Sequence, residues 1–266
     1  MAPGSKVDIT TPFHVQLPAI FSRSGHDGQH YQVAQWYPKP AVYDRNGWHE
    51  MPYLDQGEFY AEFADYDVRI TLPSNYVVAS SGNLHDENEK QWLSTRKNFT
   101  WTPSETKVKT KAGAIKRVIE KFPASASQQK TLHYTINNAH DFAWFADKRF
   151  RVAQESLTLP SGKTIPISVF YLPDQARNWE KVATYAKQGI EARSRWIGEY
   201  PYDQFFSSAI VCIHGWRNGI SCYHTLFHQK QMTGSCIMWW HMKPDTIGFR
   251  RRLAPMKGQS PGSMKA

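Results

Sequence analysis

Before residue 212 this chain has no cysteine; Cys212, Cys222 and Cys236 are its full complement in 266 residues. A disulfide framework is therefore excluded for most of its length. Long apolar runs are missing too. No stretch approaches the roughly 18 residues that a membrane-spanning helix requires, so no membrane span is expected. The opening Met1-Ala-Pro-Gly-Ser-Lys6 lacks a charged segment followed by an apolar core and does not read as a signal peptide. The expectation is a cytoplasmic chain, or one whose true N-terminus lies elsewhere in an exported parent. Acidic residues all but vanish near the end. Residues 211–266 hold eight lysines and arginines against one acid, Asp245.

That last scarcity explains the net charge. Seven of the nine net positive charges lie after residue 210, and the remainder is close to neutral. A basic protein first suggests a nucleic acid or another acidic partner, but a charge confined to one end does not describe a binding face. No nucleic-acid partner is expected. All three cysteines and five of the seven methionines also fall after residue 210. A break this sharp in three residue types at once needs a cause.

What is present before the break reads as mainly β. Residues 58–72, EFYAEFADYDVRITL, are rich in aromatic and β-branched side chains with partial alternation, as a half-buried strand requires. Pro73-Ser74-Asn75 ends that run, and residues 76–80 resume a strand. Further short strands are expected over 98–102, 131–136, 151–157 and 165–171, the last two joined by a turn at Pro160-Ser-Gly-Lys163. Residues 107–121 are basic and read as a short helix or a solvated loop insertion. The clearest helix spans 174–198, where Trp179, Val182, Ala183, Ala186, Ile190 and Ile197 form one apolar stripe and Gly198 sits near the stop. A β-rich region giving way to strand–turn–strand–helix places a domain boundary near residue 150.

Two stretches are distinctive. One is residues 32–63, QVAQWYPKPAVYDRNGWHEMPYLDQGEFYAEF; the other is residues 140–150, HDFAWFADKRF, with WIGEYPYDQF at 196–205. Together they resemble bacterial members of the aminopeptidase N family of zinc metallopeptidases, the gluzincins. The resemblance covers roughly residues 8–210. It implies that residues 8–150 are the later part of a saddle-like β domain, incomplete at its start. Residues 151–210 would be the truncated α/β opening of a thermolysin-like catalytic domain, and residues 211–266 an out-of-frame, irregular tail. It further implies that Gln35 reaches the active-site cleft and touches a peptide substrate. On this reading the apolar helix face around Ile190 lacks its natural cover, so aggregation or a disordered tail is expected.

In that family residues 205–211 should lead into a G-x-M-E-N-like strand, then H-E-x-x-H on a helix, then a glutamate 19 residues after the second histidine. None occurs here as written. All are permitted when the tail is read in other frames. Residues 218–226, written as degenerate codons with one base dropped, allow Met-Glu-Tyr-Pro-Ala-Ile-Thr-Leu. Residues 238–249, with two bases dropped, allow Val-Val-Ala-His-Glu-Ala-Gly-His-Asn-Trp-Phe, the glutamate being forced by Met242 and Lys243. Residues 261–266 allow Trp-Ile-Asp-Glu-Gly, its glutamate forced by Met264 and Lys265, at the required spacing. Two length changes are implied, one near 211–217 and one between 226 and 236.

The chemistry shows what such a change removes. Two histidines four apart on a helix share one Zn²⁺, and a distant glutamate completes a site with an open position for water. The metal acidifies that water and the motif glutamate takes its proton. Here the same stretch carries Trp240, His241, Met242, Lys243, Pro244 and Asp245, and Pro244 would disrupt a helix. The resemblance thus implies zinc in the intact parent, with no metal site and no catalytic residues in this chain.

Other groupings are weaker. Cys212 with His214, Cys222 with His224, and Cys236 with His241 match no compact zinc spacing. His26 and His30 are four apart, but Gly25 and Gly28 make that stretch a loop with surface histidines. His140-Asp141 has no nucleophile motif beside it and reads as a domain-junction feature. The alternative to a peptidase is a noncatalytic β-rich binding or interaction module.

Overall fold

A computed structural model describes residues 5–20, 24–51, 60–109, 115–179, 181–209 and 222–224. Strands β1 (Gly25–Asp27) and β2 (His30–Val33) form a hairpin around Gly28-Gln29. Gly28 has φ +60°, and a Cβ there would meet the Phe122 ring at 2.6 Å, so only glycine turns the chain at this point. This corrects the expected loop. His30 also departs from expectation, being wholly buried rather than a surface histidine.

A second hairpin follows, β3 (Val42–Asp44) and β4 (Gly47–His49). Strand β5 (Ala64–Pro73) overlaps the expected 58–72 run but starts later and ends one residue further on, with residues 60–63 outside any strand. Strands β6 (Val77–Ser80) and β7 (Asn83–Leu84) come next.

Helix α1 (Glu87–Ser94) was not anticipated. Its signal is local: the Asp86 side chain accepts the Glu89 N–H at 2.9 Å, the N-cap half of a capping box. The helix tightens into a 3₁₀ turn, Thr95–Asn98, where a strand over 98–102 was expected. Residues 99–103 carry no regular structure.

The basic insertion is neither helix nor loop. It is a third hairpin, β8 (Ser104–Lys109) and β9 (Ile115–Glu120), with Lys107 opposite Arg117. Its described side chains at Glu105, Arg117 and Ile119 are exposed. Strands β10 (Gln129–Ala139), β11 (Trp144–Asp147), β12 (Arg151–Thr158) and β13 (Thr164–Tyr171) contain the strands expected in this region.

The expected helix over 174–198 opens as a 3₁₀ turn (Pro173–Gln175) and divides into α2 (Ala176–Trp179) and α3 (Val182–Trp196). Strand β14 (Phe205–Ala209) follows. In the tail, β15 (Cys222–His224) pairs with β14. The other residues from 210 onward, including Cys212, His214, Cys236 and His241, lie outside the described residues.

Three larger sheets organise these elements. One has the order β1-β2-β11-β6, another β5-β10-β7, and the third β12-β13-β14-β15. The chain passes from the first to the third between Asp147 and Arg151. Strand β13 is antiparallel to β12 and parallel to β14, so α2 and α3 form the crossover of a βαβ unit. The architecture is mainly β with this α/β portion following.

The helix stripe is covered. Trp179, Ala183, Ala186 and Ile190 are all at most 2% exposed, packed on β12 and β13. The expected uncovered face around Ile190 is therefore corrected: the β12–β13 hairpin is the surface it needed. Rings tie the sheets together, with Phe150 6.2 Å from Phe170 and Phe145 6.2 Å from Phe206. Buried rings of this size dominate core energetics.

Candidate functional site

Gln35 lies just beyond β2 and has φ +56°. A side chain in the left-handed region costs about 1 kcal/mol and persists where its neighbours are fixed. They are fixed here. The Ala34 N–H donates to Ser24 Oγ at 2.8 Å, and Trp36 Nε1 donates to the Phe142 carbonyl at 3.0 Å. The Gln35 side chain in turn accepts a hydrogen bond from Lys39 Nζ at 2.8 Å.

Together these residues open on a cavity of about 550 Å³ whose lining includes Gln35, Tyr37, Lys39, His49, Glu50 and Tyr60. Lys39 Nζ also lies 2.9 Å from Asp141 Oδ1, and Asp141 is 1% exposed. The Asp141 carboxylate further accepts the Phe142 N–H at 2.8 Å. Tyr37 donates to the Tyr66 hydroxyl at 2.9 Å. Burial, then the neighbouring Asp141 charge, holds the Tyr37 hydroxyl far above its ordinary range. Burial raises Tyr66 likewise. Both phenols therefore stay protonated as hydrogen-bonding groups.

On the far wall His49 Nε2 stands 2.8 Å from Asp44 Oδ1, and that contact lowers the Asp44 carboxyl. The His49 ring meets Tyr60 edge-on at 5.1 Å. The cavity thus offers aromatic faces, an amide, a lysine neutralised by Asp141, and Glu50. That set suits recognition of a ligand carrying both polar and apolar parts.

His140 and Asp141 do not form a relay. The His140 ring stacks on Phe63 at 3.8 Å, with Nδ1 3.0 Å from the Ala61 carbonyl, while Asp141 turns toward Lys39.

A second polar group lies in the core, and sequence reading missed it. His30 Nδ1 stands 3.0 Å from Asp147 Oδ2, both side chains wholly buried. Arg149 completes the group, its Nη2 2.6 Å from the same oxygen. Nearby, Arg96 Nη2 donates to the carbonyls of Lys148 at 2.7 Å and Phe150 at 3.2 Å. Burial brings the Arg96 guanidinium down to about 10. These contacts join β2, β11 and the α1 region and brace the fold.

As written, the sequence contains no H-E-x-x-H pair. The stretch from Trp240 to Asp245 offers His241 beside Met242, Lys243 and Pro244. Among the described residues no group of three or more histidine, cysteine, aspartate or glutamate side chains is arranged to hold a metal. No helix among them is long and apolar enough to cross a membrane.

Comparison with solved structures finds partial likenesses. A mutant form of the M1 zinc metallopeptidase from Deinococcus radiodurans is similar at 14% identity and TM-score 0.39, over 73% of this chain and 35% of that one. The same mutant bound to a Tyr-Ser-Ala substrate gives 14% and 0.36. Another structure of the enzyme gives 15% and 0.34 over 56% of this chain and 27% of its own. The chain spans about a third or less of the length of these structures. No protein-family profile and no curated protein matches it.

Proposed function

We propose that this chain derives from an aminopeptidase N-like zinc metallopeptidase whose intact form releases N-terminal residues from peptides with a zinc-activated water, and that the chain itself does not catalyse. One observation carries this reading. Three ordered motifs, the amine-binding strand, the zinc helix and the distant glutamate, are all permitted by the tail's codons at family spacing. Two of their glutamates are forced by Met-Lys pairs, Met242-Lys243 and Met264-Lys265. On this reading residues 8–150 are the later part of the saddle β domain, 151–210 begin the catalytic domain, and 211–266 are out of frame.

The cavity beside Gln35 is where such a chain would still meet the end of a peptide, with Gln35 as the contacting amide. Its pinned backbone and lysine-held side chain support that role. A second reading, a noncatalytic β-rich binding module, is favoured by the same cavity, which is built from residues far from the altered tail.

The test is the nucleotide sequence across codons 205–266, joined to two measurements on purified protein. The expected result is histidine rather than tyrosine codons at both hidden positions, no stoichiometric zinc, and no hydrolysis of amino-acid anilides. Tyrosine codons, or bound zinc with turnover, would overturn the proposal. Peptide binding at the cavity without turnover, combined with tyrosine codons, would select the second reading.

A further inference from the structure

The amide of Gln35 has a fixed polarity. Lys39 Nζ lies 2.8 Å from Gln35 Oε1, and an ammonium can only donate. The atom facing it is therefore the amide oxygen, because the reversed amide would set two donors against each other. Gln35 Nε2 makes no hydrogen bond among the described residues, yet it is not a buried atom shut off from solvent. It opens on the cavity that Gln35 lines. With its carbonyl engaged by Lys39, Gln35 offers that space N–H donors.

Lys39 is held in its turn. Pro38 and Pro40 flank it, and a proline restrains both its own φ and the residue before it. Lys39 Nζ lies 2.9 Å from Asp141 Oδ1 and 5.2 Å from the centre of the Tyr37 ring. Asp141 is 1% exposed, and its Oδ1 also accepts the Phe142 N–H at 2.8 Å, so the carboxylate is tied to the backbone. The Phe142 carbonyl receives Trp36 Nε1 at 3.0 Å, which brings the chain of contacts back to the residue beside Gln35. A connected polar network of this kind specifies one arrangement of its members.

We propose that Lys39, held by Asp141, is the positioning residue of this cavity: it keeps the Gln35 amide turned so that the site recognises a neutral carbonyl oxygen, as in a peptide bond, and rejects an ammonium. The inference rests on the reading of the cavity as a peptide site and names the group recognised there, a carbonyl rather than the terminal amine. A ligand ammonium at Gln35 would meet the amino group of Gln35 and the ammonium of Lys39, donors on both sides. Glu50, on the same lining, is exposed, and its pull on a cation is screened by water. A carboxylate suits the position less well than a carbonyl. Asp141 already matches the charge of Lys39, so the new ion would leave water without a partner of its own.

The test is an NMR titration of the isotope-labelled full chain with small probes that share a phenyl ring. N-acetylphenylalanine amide offers neutral carbonyls, phenethylamine an ammonium, and hydrocinnamate a carboxylate. The native chain should bind the amide at least about tenfold more tightly than either ion, the worth of one hydrogen bond made against one denied. Gln35→Glu keeps the contact to Lys39 but turns the open atom into an acceptor, so it should reverse the order of amide and amine. Lys39→Met should flatten the preference, and the Gln35 side-chain amide, ordered in the free native chain, should become mobile. Should Lys39→Met fail to fold for want of a partner to Asp141, Gln35→Glu decides alone, since it leaves that pair intact. A native chain that prefers either ion, a Gln35→Glu variant with the order unchanged, or a mobile Gln35 amide in the free native chain would each overturn the inference. No response to any probe would instead remove the reading of the cavity as a peptide site, and this ligand class with it.

Discussion

Asp147 Oδ2 lies 3.0 Å from His30 Nδ1 although 117 residues separate the two in sequence, and neither side chain has any exposure to solvent. Burial pushes the Asp147 carboxyl up, but hydrogen bonds from His30 and Arg149 outweigh it, and the group ends below the ordinary carboxylate range. A carboxyl lowered in the folded state favours folding when ionised. That stability is fully present above about pH 4, the value in an unfolded chain, and is lost as pH falls through the folded value. Asp147→Asn should cost about 3 kcal/mol at neutral pH, since it removes the buried charge that His30 and Arg149 share and turns one of the two acceptor oxygens into a donor. It should also flatten the acid limb of a stability–pH curve measured by urea unfolding. An acid limb as steep as that of the native chain would contradict this assignment.

Glu89 and Lys130 give the opposite expectation. Lys130 Nζ stands 2.6 and 2.9 Å from the two Glu89 oxygens and 4.1 Å from the centre of the Trp92 ring. Burial raises the Glu89 carboxyl and lowers the Lys130 amine, in each case against the pull of the partner. The raised carboxyl means that Glu89's contribution is best below about pH 4 and declines as pH rises through its folded value. Lys130→Met alone should cost about 3 kcal/mol, because it strands a buried carboxylate. Glu89→Leu with Lys130→Met should fall within about 1 kcal/mol of the native chain at pH 7, or above it. Thermal melts of the three proteins decide the matter, and a double variant as unstable as the single one would refute the burial-led account.

The left-handed backbone at Gln35 makes a comparative test possible. Gln35→Gly and Gln35→Ala both remove one acceptor of Lys39 and leave Asp141, but only glycine adopts φ +56° without strain. The glycine variant should be the more stable of the two by about 1 kcal/mol. Equal stabilities would mean that the backbone relaxes.

For the crossover helix, Ile190→Ala should destabilise by about 3 kcal/mol by opening a void against β12 and β13. A loss under about 0.5 kcal/mol, the surface range, would mean that this face is not packed as described.

These outcomes separate what the sequence made legible from what it concealed. Period-2 patterns located β10, β12 and β13, and the helical stripe located α3, because each pattern lies within one element. Helix α1 was legible in principle: Asp86 and Glu89 sit at capping-box spacing, but the helix is only eight residues long and its apolar pattern is slight. The β8–β9 hairpin gave no usable period, since lysines recur through its sequence without a regular spacing. His30 could not be placed from its neighbours. Two glycines, Gly25 and Gly28, precede it in sequence, and only the pairing of β2 to β11 carries it inside. The cavity shares that difficulty, for Gln35 and Lys39 depend on Asp141, and its far wall comes from the next hairpin.

Strand β14 carries a last implication. Phe205, Phe206, Ser207 and Ser208 are all buried, so the strand has no wet face. A one-residue slip would exchange one set of enclosed side chains for another, and solvent would impose little penalty on the error. The alignment must instead be fixed by the corner that precedes the strand. There Tyr200 Oη donates to the Gln204 carbonyl at 3.0 Å, Gln204 Nε2 donates to the Gly82 carbonyl, and Tyr202 Oη reaches the Asn138 carbonyl at 3.0 Å. Insertions in the short tract between α3 and β14 should therefore be tolerated far less well than its exposed position in sequence suggests.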